Sequence, residues 1–92
     1  MHLEIVSPEA TLYTGEATAV TVPGVDGEFQ MLDNHAPIVS LLAEGIVKIK
    51  GASINDKQKK YFKTGKEAGE FLLEISSGTL EMNDNKVIIL SD

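Results

Sequence analysis

EATAVTVPGVDGEFQML, residues 16 to 32, sets two apolar segments on either side of Val25-Asp26-Gly27. In the first segment Val20 and Val22 share one parity with Thr18, while Ala19 and Thr21 take the other. Successive side chains of a strand point to opposite faces, so a period of two marks a strand with one face in a core. Asp26-Gly27 reads as the tip of a hairpin or arch that presents Glu28 beside it.

The same alternation recurs outward from this hairpin. Leu3 and Ile5 pair at the start, Val47 and Ile49 alternate with Lys48 and Lys50, Phe71, Leu73 and Ile75 alternate with Leu72 and Glu74, and Val87 and Ile89 alternate with Ile88 and Leu90. Breakers fall between the segments at Ser7-Pro8, Gly15, Pro23-Gly24, Asp33-Asn34, Glu44-Gly45, Asn55-Asp56, Gly65, Gly69, Gly78 and Asn83-Asp84-Asn85. The pattern predicts ten strands, near 2–6, 11–14, 17–22, 28–31, 37–42, 45–50, 58–63, 70–76, 79–82 and 86–90. No segment carries the i, i+3, i+4, i+7 apolar face that a three-turn helix needs. The expected fold is all-β: a ten-stranded β-sandwich, or flattened barrel, of short antiparallel strands.

Composition bounds the function. The 92 residues, 42% hydrophobic and 24% charged, suit one domain over 1–92 with a single core and no room for a second. A chain of this size buries only about 60–65% of its unfolded surface, which makes a covering partner a reasonable expectation. There is no cysteine, so disulfides, thiolate catalysis and thiolate-bound zinc are excluded. A net charge of −6 opposes nucleic-acid binding. Lys57, Lys59, Lys60 and Lys63 cluster in DKQKKYFK, but Asp56, Glu67 and Glu70 flank them, so the run reads as a solvated edge or loop. No stretch spans a bilayer, and MHLEIVSP lacks the basic flank and apolar run of a secretion signal.

The chemistry-bearing motifs are few. DNHAP, residues 33 to 37, places an acid two residues from one of only two histidines. Asp33 and His35 could form a base with its orienting carboxylate, which leaves open a free-standing small β-barrel that binds a ligand or acts as a hydrolase. A triad also needs a nucleophile held by the base, and none is supplied here. Asp-Asn more readily shapes a turn, since both residues tolerate left-handed backbone. With His2 and His35 as the only imidazoles, no metal site is expected. GVDGEF has two glycines but neither the dinucleotide spacing nor a following helix, so no cofactor is expected. Asn83-Asp84-Asn85 lacks the rest of a calcium loop and reads as a hairpin turn.

Taken in order, LEIVSP, Gly15-Glu16, Val20 and Val22 with Pro23-Gly24, Gly27-Glu28, Met31-Leu32, Asn34-His35-Ala36-Pro37 and Gly45 resemble the N-terminal domain of the epsilon subunit of the F-type ATP synthase. The closing Ser77-Gly78, Leu80-Glu81-Met82, Asn85, Val87 and Ile89 to Asp92 match the same family, and only residues 51 to 69 match it poorly. Gln30 stands where that family usually has glycine, Asp33 where proline is common, and Thr79 in place of a second glycine. The resemblance implies a non-catalytic rotor subunit of the central stalk that binds the gamma subunit and the c-ring and helps couple ion translocation to ATP synthesis. It implies partner contacts at Glu28, His35, Ala36, Pro37 and Ser40, with no catalytic residue and no homo-oligomer required. It also implies a peripheral place at the cytoplasmic face of a bacterial membrane. The family's C-terminal pair of helices is absent from this sequence, so neither helix insertion to inhibit ATP hydrolysis nor the ATP site of some members is expected.

Overall fold

Ten strands form in a computed structural model that describes residues 1–92: β1 (His2–Val6), β2 (Thr11–Glu16), β3 (Ala19–Gly24), β4 (Gly27–Leu32), β5 (Ile38–Leu42), β6 (Gly45–Lys50), β7 (Lys63–Thr64), β8 (Glu70–Ile75), β9 (Gly78–Asn83) and β10 (Lys86–Ser91). The hairpin that decided the fold is β3–β4, in register from Ala19 opposite Leu32 to Gly24 opposite Gly27, with Val25-Asp26 as its loop. Gly27 has φ +127°, a left-handed value that a side chain would strain. The β9–β10 hairpin turns on Asp84 and Asn85, with φ 50° and 58°, the two successive left-handed residues that match strand twist.

The strands run in the order β2-β1-β10-β9-β5-β3-β6-β8-β7, with β4 on the far side of β3. All neighbours are antiparallel except β1 and β10, which pair in parallel from His2 opposite Lys86 to Val6 opposite Leu90. This is the one departure from the antiparallel expectation. Parallel neighbours need a long connection, and the whole chain lies between these two. The sheet curls until its ends meet as a sandwich. Tyr13 of β2 packs edge-on against Phe62, just before β7, with ring centroids 6.5 Å apart and planes at 83°.

The inward parity of each strand fills the core: Leu3 and Ile5, Val20 and Val22, Val47 and Ile49, Leu80 and Met82, Val87 and Ile89 are all almost fully buried. Each such side chain contributes about 1.5–3 kcal/mol on leaving water, enough to hold a fold that has no disulfide. Tyr13 is buried with them, and its hydroxyl donates to the Glu16 carbonyl at 2.7 Å, so its one polar atom is satisfied. Burial pushes the Tyr13 phenol above its ordinary pKa; the nearby Glu16 charge adds to this and a backbone hydrogen bond at Ser53 opposes it.

The strand expected over 58–63 is corrected. Lys59–Tyr61 form one turn of 3-10 helix, and only Lys63–Thr64 pair with β8. The cause is local and polar. Asn55 Oδ1 accepts from the Gln58 N–H at 3.0 Å while Gln58 Oε1 accepts from the Asn55 N–H at 3.2 Å. Such a reciprocal pair closes a helical turn and outcompetes an edge strand of lysines.

Candidate functional site

β4 leads from the hairpin tip to the DNHAP loop, so it carries the candidate contact residues at its two ends. Glu28 lies at the tip end, exposed, opposite Pro23. Leu32 ends the strand four residues later, about 13 Å on at the usual 3.3 Å per residue, and the loop follows it. The structure therefore does not bring Glu28 and His35 into one cluster.

The loop is held from three directions. Asn34 takes φ 62°, the turn expected of it, and its N–H donates to Asn85 Oδ1 of the β9–β10 turn at 2.8 Å. The His35 N–H donates to the Leu32 carbonyl at 3.2 Å, and His35 Nδ1 donates to the Ala36 carbonyl at 2.7 Å. The Asp33 carboxylate bonds the Met1 amino group, which also donates to the Ala17 carbonyl at 3.0 Å. Acid and imidazole thus have separate partners, and the base-and-orienter geometry that a hydrolase reading of Asp33 and His35 needs is not formed. No group of three His, Cys, Asp or Glu side chains is placed to hold a metal ion.

His35 is half-buried, and Ala36 and Pro37 are exposed beside it. Ser40 is different. It shares parity with Ile38 and Leu42, is half-buried, and its hydroxyl donates to the Leu41 carbonyl at 3.1 Å. The outward residues of β5 are Val39 and Leu41, 78% and 62% exposed, which the sequence reading did not single out. IVSLL is apolar on both parities, so alternation alone could not say which side faces water.

Leu41 belongs to a larger apolar strip. The register sets it opposite Thr79, Thr79 opposite Leu90, and Leu90 opposite Val6, across β5, β9, β10 and β1. Val25, from the β3–β4 loop, joins the strip, because its N–H bonds the Leu41 carbonyl at 3.1 Å. Val6, Pro8, Val25, Leu41 and Leu90 line an open trough of about 670 Å³, with Asp92 also in its wall. A row of large exposed aliphatics on one side of a small domain marks a surface suited to a macromolecular partner.

The family described as "ATP synthase, Delta/Epsilon chain, beta-sandwich domain" matches residues 1–92. The chain is 36% identical to the ATP synthase epsilon chain of Campylobacter concisus over all of its own length and 60% of that protein. It is 34% identical to the epsilon chain of Chlorobium limicola over 98% of its own length and 86% of that one. The chain thus spans about three-fifths of the Campylobacter relative. Among solved structures, a chain of the Tetrahymena thermophila mitochondrial ATP synthase central stalk/c-ring aligns with 98% of this chain and 61% of its own, with a TM-score of 0.68 at 16% identity. A chain of the Euglena gracilis mitochondrial ATP synthase OSCP/F1/c-ring assembly aligns with 97% of this chain and 48% of its own, with a TM-score of 0.72 at 23% identity. At those identities the two structures share the fold.

Proposed function

Because the chain belongs to the β-sandwich domain family of ATP synthase delta and epsilon chains, we propose that it works in the central-stalk rotor of a membrane-bound F-type ATP synthase. There it binds the gamma subunit and the c-ring and helps couple ion translocation to ATP synthesis. The exposed strip of Val39, Leu41 and Leu90 carries this reading. Aliphatics held rigidly on a packed sheet bind a partner by leaving water, at about 25 cal/mol per Å² of apolar surface, and lose little conformational freedom in doing so. The strip is the gamma-facing surface. Glu28 and the His35-Ala36-Pro37 loop supply polar contacts to the ring, where charge pairing fixes register more than it adds affinity. Ser40 contributes from below, by setting the backbone that presents Leu41.

The domain works as a spacer and coupler, and a loop tied to Asn85 and, through Asp33, to Met1 transmits torque better than a free one. No helix is long and apolar enough to cross a membrane, and the domain sits peripherally at the cytoplasmic face of a bacterial membrane, held there by the assembly.

Purifying the native assembly with Glu28→Ala or His35→Ala tests the contact residues. Each variant is expected to keep its melting temperature and to weaken retention on gamma and the ring about 3- to 10-fold, the scale of a rim contact. A variant that unfolds the isolated domain would make the side chain structural and remove it from the interface.

A further inference from the structure

β4 has neighbours on one side only. It pairs with β3 and with no other strand. The direction of its backbone groups follows from β3. The Pro23 carbonyl accepts from the Ala43 N–H at 2.8 Å and the Val25 N–H donates to Leu41, both on the side of β3 away from β4. Backbone groups alternate along a strand, so Val20, Val22 and Gly24 point toward β4 and bond Met31, Phe29 and Gly27. Glu28, Gln30 and Leu32 therefore turn their backbone groups outward. The Leu32 carbonyl is taken by His35, whereas the N–H groups of all three and the carbonyls of Glu28 and Gln30 have no protein partner.

The two end strands of the sheet are protected. β2 lies against a bulge in its pairing with β1 and is covered where Tyr13 meets Phe62; β7 is two residues long and carries Lys63. Bulges, short length and lysine are the usual devices that keep an edge from pairing with another chain. β4 has none of them: it is six residues, GEFQML, without lysine, proline or bulge.

We propose that the bare edge of β4 is a strand-addition site. It takes one extended segment of a partner chain, with a basic side chain against Asp26 and Glu28 and an apolar one against Leu32. Main-chain hydrogen bonds supply the affinity in this mode and alternate side chains supply the choice of partner. The charge argument is direct, because Asp26 and Glu28 are both exposed and neither is in an ion pair. Leu32, 55% exposed, marks the apolar end. The edge is continuous with the trough through Val25 of the same hairpin, so one partner can cover both. This inference rests on the subunit reading above.

Amide hydrogen exchange on the isolated protein and on the assembled ATP synthase tests it. In the isolated protein the amides of Glu28, Gln30 and Leu32 should exchange fast and those of Phe29 and Met31 slowly; on assembly the three fast ones should slow by about 100-fold or more. If they stay fast while Leu41 becomes protected, strand addition is wrong and the subunit reading stands. If the protein does not enter the assembly, both fall. Protection that grows with concentration of the protein alone would make the added strand a second copy, which also overturns the proposal. Gln30→Pro removes one outward N–H without breaking a backbone bond to β3 and should lower assembly about 10-fold, whereas Gln30→Ala loses the same side-chain bond to Thr21 but keeps that N–H and should assemble like the unaltered protein. Equal loss in both variants would assign the effect to the side chain and overturn the backbone mode.

Discussion

The outer side of β5 and β10 leaves Val39, Leu41 and Leu90 in the open, while the far end of the sheet, from β6 to β7, is clothed in lysine. Seven of the eight lysines lie between residues 48 and 66, and only Lys86 lies elsewhere. Three of the seven have acid partners at 3.4 to 3.5 Å: Lys50 with Glu67, Lys59 with Asp56 and Lys63 with Glu74. All three pairs are solvent-exposed, where such bridges are worth about 0–1 kcal/mol. The lysine edge thus has little to gain by leaving water, whereas the aliphatic strip has much. The difference shows that exposure alone does not mark an interface; what the exposed side chains gain by leaving water does.

Three changes sharpen that comparison. The largest effect comes from the core beneath both regions. Leu80, on the inner side of the aliphatic strands, and Ile49, on the inner side of the lysine strands, are both almost fully buried. Truncating either to alanine should cost about 2–5 kcal/mol in denaturant unfolding. Both variants should still unfold in one transition. Two separate transitions would mean that the regions do not share one core, and would break the comparison at its base.

The next effect separates the surfaces themselves. Leu41→Asp should leave the stability of the isolated domain within about 0.5 kcal/mol, as expected for an exposed site, yet weaken association with the rotor about 10- to 100-fold. Lys60→Glu, on the wet edge, should change association less than about 2-fold. A larger loss from Lys60→Glu than from Leu41→Asp would reverse the assignment of the two surfaces.

Most of this architecture was legible in the sequence, and the exceptions have physical causes. Nine strands could be read because most alternate between aliphatic and polar residues and the rest, IVSLL and VIIL, are short aliphatic runs bounded by breakers, and the turns at Asp26-Gly27, Asn34 and Asp84-Asn85 could be read from residues that tolerate left-handed backbone. Residues 58 to 63 misled because Tyr61 and Lys63 mimic an edge strand. The spacing of Asn55 and Gln58, three apart, was the signal for the turn that forms there. The parallel pairing of β1 with β10 leaves no mark on either strand, since both read as buried alternations whatever their neighbour. The candidate site was legible in part. Glu28 could be placed beside the hairpin tip and His35, Ala36 and Pro37 at the turn before β5, but the outward parity of Val39 and Leu41 is set by pairing with β9, information that a segment apolar on both parities does not hold.

The smallest effect tests the seam where the two regions join. Tyr13, under the edge of β2, touches Phe62 of the segment that carries the lysines. Its phenol is held above the ordinary value mainly by burial. The neutral form is therefore favoured in the folded protein, and the sign follows. Below about pH 10 the phenol is protonated in both states and its full contribution is present. As pH rises the unfolded chain ionises first, so stability falls progressively until the folded phenol also titrates. Tyr13→Phe should abolish that alkaline decline while costing about 0.5–1.5 kcal/mol at neutral pH, the net worth of the lost hydrogen bond to Glu16. Denaturant midpoints measured from neutral to strongly alkaline pH read both quantities at once. An unchanged alkaline decline in the variant would move its origin away from the seam, and the closure of the sheet would then rest on Phe62 packing alone.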